Sequence, residues 1–217
     1  MLTPARRTRT LALGGLVGPW LWTLVVVLLT VVEYDELRAF GWTPGQDHGV
    51  NYPSSLALGR LGWLQMANFA LFGVATIALA AALYRVVRPR PLARVAPMLL
   101  GVAGVGLVLS AFPTDHGPPD APTTWHGALH GLAFAVTFVP LLLAFLFLAA
   151  AFRGDPRWRG YDWLGPAVAL GAVASLVGGG ALLPAALSQV AFYAALLVLF
   201  AGLTLLALRV RAVAATG

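Results

Sequence analysis

The sequence predicts an all-α membrane protein, a six-transmembrane-helix bundle with both termini in the cytoplasm. The first observation is composition. Hydrophobic residues make up 59% of the 217 residues and charged residues only 10%, whereas about a quarter of the residues in a soluble protein are charged. We therefore expect much of the surface to face a lipid bilayer. In this setting the net charge of +6 indicates contact with the membrane surface and not with nucleic acid.

The second observation is a set of six apolar segments, each long enough to cross a hydrocarbon core that needs about 20 helical residues. No charged residue lies inside any of them, which argues against ion transport through buried carboxylates. The one long connection contains several glycines and prolines and is expected to fold as a packed cap or a re-entrant turn. The chain is thus one domain, 1–217, with spans near 11–32, 62–84, 95–112, 126–152, 163–183 and 188–208 and a long outer loop, 33–61.

The third observation is the distribution of arginine. Twelve of the fourteen arginines fall at the two termini or in the second and fourth loops, and only Arg38 and Arg60 fall on the other side. Because positively charged loops stay in the cytoplasm, this predicts a multi-pass protein of the plasma membrane with both termini inside. All four histidines and most carboxylates would then lie outside.

Small residues suggest where helices approach one another closely. Gly14 and Gly18 lie one turn apart in the first span, and Gly127 and Gly131 lie one turn apart in the fourth. Pairs of this kind let two membrane helices pack with their backbones close together. We expect a helix contact at each pair.

The outer side carries the most informative stretch of sequence. Pro122 followed by Thr123 and Thr124 is typical of a helix start, with either threonine as the N-cap. His126 and His130 are four residues apart and share one helix face. Asp115 and His116 belong to the loop that precedes them.

Two interpretations of these residues remain open. Imidazoles one turn apart are common metal ligands, and Asp115 or His116 would complete a site for a divalent transition metal. Position 127 is Gly where the H-E-x-x-H zinc-protease motif has Glu, so that mechanism is not supported. Alternatively, His126 and His130 hydrogen-bond loop carboxylates or backbone carbonyls and hold the helix ends together. Haem is disfavoured because no other span has a histidine to pair with His130.

Two amides extend this set of polar residues. Gln65 and Asn68 lie one turn apart near the outer end of the second span, at a depth similar to that of His130. They predict a polar pocket roofed by the long loop. The alternative is that they hydrogen-bond a neighbouring helix, which is worth about 0.6 kcal/mol on average.

Two parts of the chain resemble the bacterial and archaeal membrane protein family catalogued as domain of unknown function 998. One is S-L-A-L-G at 55–59 with G-W-L-Q at 62–65 and N-F at 68–69; the other is F-P-T-D at 112–115 with W-H-G-A-L-H at 125–130. The resemblance covers nearly the whole chain and implies six spans. One departure is Gly131, where the family often has Asp, so a carboxylate is missing beside the candidate metal ligands.

These observations favour a membrane protein with an outward-facing polar site for a small ligand, a lipid headgroup or a metal. The site residues would be Asp115, His116, His126 and His130, with Gln65 and Asn68. One alternative is a metal-dependent hydrolase of lipid or envelope substrates. The other is a structural or assembly subunit, in which the histidines only join helices.

Overall fold

The structure, a computed structural model, describes residues 3–39, 52–115, 122–182 and 188–216, and these residues form helices joined by turns. Two short 3₁₀ helices, Pro53–Leu58 and Pro156–Trp158, lie in the connections. The α-helices are α1 (Pro4–Leu11), α2 (Leu13–Val32), α3 (Tyr34–Ala39), α4 (Gly62–Val86), α5 (Pro91–Leu109), α6 (Trp125–Phe152), α7 (Leu164–Leu182) and α8 (Ser188–Val213).

Within the described ranges, five helices are long and apolar enough to cross a membrane. They are the nearly continuous α1–α2 pair, α4, α5, α6 and residues Val190–Val213 of α8. A shorter apolar helix, Leu164–Gly179 within α7, accompanies them. The chain is therefore a helical, multi-pass membrane protein embedded in a lipid bilayer.

The long helices form a closed ring. Each of α2, α4, α5, α6 and α7 packs against the next in chain order, and α8 returns to pack against α2. Large apolar side chains such as Val31, Leu71 and Leu170 point outward and are more than half exposed, as expected for surfaces that contact lipid. The interior of the ring is where a ligand site could form.

α5 and α8 extend well beyond the apolar segments of the sequence at the ends that carry arginine. α5 begins at Pro91 and includes Arg94, and α8 continues to Val213 through Arg209 and Arg211. A helix bonds its own backbone, so it need not stop where the hydrocarbon ends. The arginine side chains also pack against neighbouring aromatic side chains: Arg94 is 5.0 Å from the centre of the Tyr84 ring.

An ion-pair network of Arg88, Asp155 and Arg157 closes one end of the ring, which we call the arginine end. Arg157 bonds the buried Asp155 carboxylate, at 2.7 Å for its shortest contact, and also donates to the Val86 carbonyl at 3.0 Å. Arg88 lies 3.5 Å from the same carboxylate. The Arg157 hydrogen bonds lower the pKa of Asp155 below its ordinary value. The network joins the end of α4 to the α6–α7 connection.

Glycines allow α2 and α4 to pack closely together. The Gly14 backbone lies against the Ala75 carbonyl, and a methyl group on Gly18 would be 2.9 Å from the Ala75 side chain. The predicted contact at this pair is therefore confirmed. Among the described residues, no atom from elsewhere in the protein lies within 4 Å of the position that a side chain at Gly131 would occupy, so the helix contact predicted there is wrong.

Both ends of the long α2–α4 connection pack onto the bundle. Leu37 of α3 and Leu56 of the first 3₁₀ helix are almost completely buried. Residues 40–51, which include His48, lie outside the described ranges. The connection therefore contributes fixed structure where it leaves α2 and where it enters α4.

Candidate functional site

Two histidines fasten the start of α6 to the end of the α5 connection. His126 Nδ1 is 3.1 Å from the Pro113 carbonyl oxygen, and His130 Nδ1 is 2.7 Å from the Phe112 carbonyl oxygen. A carbonyl oxygen only accepts hydrogen bonds, so each Nδ1 carries the proton and donates it. We call this group the histidine latch (Phe112, Pro113, Asp115, Thr124, His126 and His130), and its end of the bundle the histidine end.

Asp115 completes the latch by capping α6. Its two carboxylate oxygens accept hydrogen bonds from the backbone N–H and the hydroxyl of Thr124. The Thr124 hydroxyl oxygen in turn accepts from the Gly127 N–H at 3.1 Å, which makes Thr124 the N-cap. Of the two threonines considered from the sequence, the structure selects the second.

The environment of Asp115 favours its charged form. The hydrogen bond from the Thr124 hydroxyl holds the pKa of this carboxyl below its ordinary value, with further lowering from the Thr124 N–H and from His126. His126 Nδ1 lies 3.6 Å from the nearer carboxylate oxygen. A negative charge here also suits the positive end of the α6 dipole.

Gly127 leaves room for this carboxylate. A methyl group at position 127 would overlap the Asp115 carboxylate atoms, because the carboxylate rests directly on the first turn of α6. The glycine therefore serves a loop-to-helix contact, where the sequence predicted a contact between helices. Across the latch, the Phe112 and Trp125 rings meet edge to face with centres 5.6 Å apart.

The start of α4 is held in the same way by carboxylates that follow α2. Glu33 is buried and accepts the Leu61 N–H at 2.5 Å, while Glu36 accepts the Arg60 N–H at 3.1 Å. Gly59 has no side chain that would overlap the Glu33 carboxylate. Sequence reasoning assigned Glu33 and Glu36 only to an acidic outer side.

Gln65 and Asn68 lie on α4 and face α2. Both are buried, and the Asn68 side-chain nitrogen donates to the Trp22 carbonyl at 3.1 Å and to the Gln65 oxygen at 3.2 Å. The structure thus brings Asp115, His126 and His130 together, whereas the hydrogen bonds of Asn68 go to Trp22 and Gln65. Phe69, the residue after Asn68, reaches His130, with ring centres 6.2 Å apart. His116 lies outside the described residues.

A cavity of about 530 Å³ lies inside the ring, next to the latch. All six long helices contribute to its wall, and Tyr52, Pro53 and Ser54 contribute from the α2–α4 connection. The wall is mainly apolar and rich in phenylalanine. Its polar members from the helices and their ends are Thr76, Ser110, His130 and Thr137.

The polar groups of the wall differ in whether their hydrogen-bonding atoms already have partners. Thr76 and Ser110 donate to carbonyls of their own helices, Phe72 and Gly106. Within the described residues, the Trp22 indole nitrogen and the Thr137 hydroxyl are buried without a hydrogen-bond partner. The bonds described for His130 involve only Nδ1, so its second ring nitrogen, Nε2, is unoccupied within the described part of the chain. The sequence marked His130 and predicted a polar pocket roofed by the long loop; it did not predict the mainly apolar wall, because ring closure by six helices leaves no local pattern.

The described residues contain no group of three or more His, Asp or Glu side chains arranged to hold a metal ion. His126 and His130 each keep Nε2 free while Nδ1–H bonds a carbonyl, an arrangement that also orients metal-ligating histidines in proteins. Asp115, the third predicted ligand, uses both oxygens on Thr124. Of the predicted metal ligands in the described residues, only His126 and His130 therefore keep a ring nitrogen available to a metal ion.

Comparison with known proteins gives one match. The model of a family described as "Protein of unknown function (DUF998)" matches residues 37–209, which include the latch and most of the cavity wall. No curated protein and no solved structure matches the chain.

The latch yields a double-mutant prediction. Gly127→Ala should lower the midpoint of thermal unfolding in detergent, because the new methyl group displaces Asp115 from Thr124. In an Asp115→Gly background the same substitution should lower the unfolding midpoint only slightly, because the carboxylate that it would displace is absent.

Gly131→Ala is the matched control on the same helix, because that position is open. It should leave the midpoint unchanged or raise it slightly, as alanine favours helix. If Gly127→Ala lowers the unfolding midpoint by the same amount with and without Asp115, the latch geometry is contradicted.

Proposed function

Because the chain belongs to the DUF998 family, whose description names no activity, we propose its function from its own geometry: it binds an apolar small molecule or lipid inside the helix ring. The observation that carries this proposal is the cavity beside the histidine latch. Ligand pockets usually measure 300–1,000 Å³ and combine apolar walls with a few polar groups. The cavity meets both criteria.

Packing energetics support an occupant. A cavity of about 530 Å³ leaves the side chains of its wall without packing partners on one side, and an apolar occupant would supply those contacts. At the arginine end the ring interior is filled by large buried side chains such as Leu79, Leu83, Leu148 and Leu206. The same ring is therefore filled at one end and open at the other, a difference that suits a binding site.

In this proposal the latch positions the site. Asp115 and His126 hold the α5–α6 connection in place, and His130 does so while also lining the cavity. The polar site predicted from the sequence thus becomes the polar end of a mostly apolar pocket. Gln65 and Asn68 support Trp22, which is part of the wall.

We further propose six spans, with both termini in the cytoplasm and the histidine end outside the cell. α7 has 19 residues, which at 1.5 Å per residue gives roughly 28 Å, close to the hydrocarbon thickness. The arginine distribution supports the orientation, since arginine-rich loops remain inside. The cavity would then lie toward the outer half of the plasma membrane.

Cysteine labelling tests this orientation cleanly because the chain has no native cysteine. Thr123→Cys, beside the latch, should react with a membrane-impermeant maleimide in intact cells. Thr216→Cys, near the C-terminus, should react only after the membrane is permeabilised. If Thr216→Cys is labelled in intact cells and Thr123→Cys is not, the protein has the opposite orientation and the proposal is wrong.

Filling the cavity should abolish binding. The probe is tritiated 1-methoxydodecane, an uncharged chain, and the measurement is saturable binding to protein in nanodiscs beyond that of empty nanodiscs. Leu107→Trp places a large ring in the cavity wall and should remove the saturable component.

Val105→Trp is the control on the same helix, at a side chain that is about half exposed on the outside of the ring. It should bind as the wild type does. Absence of saturable binding in the wild type, or equal binding by both tryptophan variants, would contradict the proposed function.

A second candidate is a metal-dependent hydrolase, favoured by the two unoccupied Nε2 atoms of His126 and His130. Elemental analysis of protein purified without chelator separates it from the ligand-binding proposal. Stoichiometric zinc, manganese or iron that is lost in the His126→Ala/His130→Ala variant would support the hydrolase. We expect no such stoichiometric metal.

A further inference from the structure

We infer that the cavity ligand is an uncharged lipid whose head is a hydroxyl group, and that this hydroxyl donates a hydrogen bond to His130 Nε2. The inference rests on the proposed function and specifies the chemistry of its ligand. It follows from the tautomer of one ring, from the surroundings of that ring and from the absence of charge in the described cavity wall.

The tautomer of His130 is set by the latch. Nδ1 lies 2.7 Å from the Phe112 carbonyl oxygen, so it carries the hydrogen. In a neutral imidazole the other nitrogen then has a lone pair and no hydrogen. His130 therefore offers Nε2 as a hydrogen-bond acceptor.

This acceptor belongs to a side chain that lines the cavity. His130 is half-buried and forms part of the wall, and its Nε2 is not among the buried polar atoms that lack a partner. The Phe69 ring, another part of the wall, meets the imidazole edge to face at an interplanar angle of 82°. The imidazole is thus held by a carbonyl on one nitrogen and by an aromatic ring beside it.

The wall disfavours a charged ligand. Among the described residues that line the cavity there is no Asp, Glu or Arg, and the chain contains no Lys. A carboxylate or an ammonium group placed there would lose hydration without gaining an ion pair, which is costly. A neutral hydroxyl needs one acceptor for its proton, and His130 supplies it.

The remainder of the wall suits a chain. Away from His130, it is formed by aromatic and aliphatic side chains such as Phe138, Leu141, Leu199 and Leu203. Thr76, which lies among them, already donates to the Phe72 carbonyl. An alkyl or isoprenoid chain would bury apolar surface along this wall, with its hydroxyl at the histidine end.

The substitution His130→Asn distinguishes the role of Nδ1 from that of Nε2. An asparagine amide nitrogen stands close to the position of Nδ1 and can still donate to the Phe112 carbonyl, whereas nothing replaces Nε2. His126→Asn is the matched control, because His126 makes the equivalent bond to the Pro113 carbonyl but does not line the cavity.

Two probes of equal chain length measure the effect: tritiated 1-dodecanol, which has a hydroxyl donor, and 1-methoxydodecane, whose ether oxygen only accepts. Saturable binding in nanodiscs is the component lost in Leu107→Trp. We expect wild-type protein and His126→Asn to bind the alcohol about fivefold more tightly than the ether, the typical effect of one hydrogen bond. His130→Asn should bind both equally.

The outcomes distinguish this inference from the proposed function. Saturable binding of both probes with equal affinity in the wild type overturns the hydroxyl assignment and leaves the ligand-binding function in place. A preference for the alcohol that survives in His130→Asn also overturns it, as does a preference lost equally in His126→Asn. If neither probe shows saturable binding, the proposed function itself fails.

Discussion

Carboxylate capping of helix starts is the constraint on which the histidine end depends. The first turn of a helix leaves N–H groups without partners, and near the hydrocarbon these groups need acceptors from the protein. Asp115 bonds the N-cap residue of α6, and Glu33 supplies an acceptor just before α4. Each carboxylate comes from the connection before its helix, so each bond also fixes how two consecutive helices meet.

This capping has a consequence for the ring interior. At the histidine end, hydrogen bonds of Asp115, His126 and His130 outside the core join the end of α5 to the start of α6. Side chains need not fill the space beneath them to hold the helices together. At the arginine end the interior is packed with leucine. The difference between the two ends explains how a ring of uniform helices can contain one large cavity.

The sequence predicts the helices and their family well because both depend on local patterns. Apolar length predicts membrane helices, and the F-P-T-D and W-H-G-A-L-H motifs predict the family that the match over 37–209 confirms. Spacing alone also placed Asp115, His126 and His130 in one patch. It did not show that both rings bond backbone carbonyls, nor that Gly127 accommodates a carboxylate, because these contacts join residues 9 to 18 positions apart. The cavity depends on all six helices at once.

The central claim is tested most directly by an experimental density map of the protein in nanodiscs, after extraction together with its native lipids. We predict elongated density inside the ring, with one end within hydrogen-bonding distance of His130 Nε2 and the other reaching Leu141 and Leu203. A ring interior closed by its own side chains at this level, or density confined to the outer lipid-facing surface, would contradict the account.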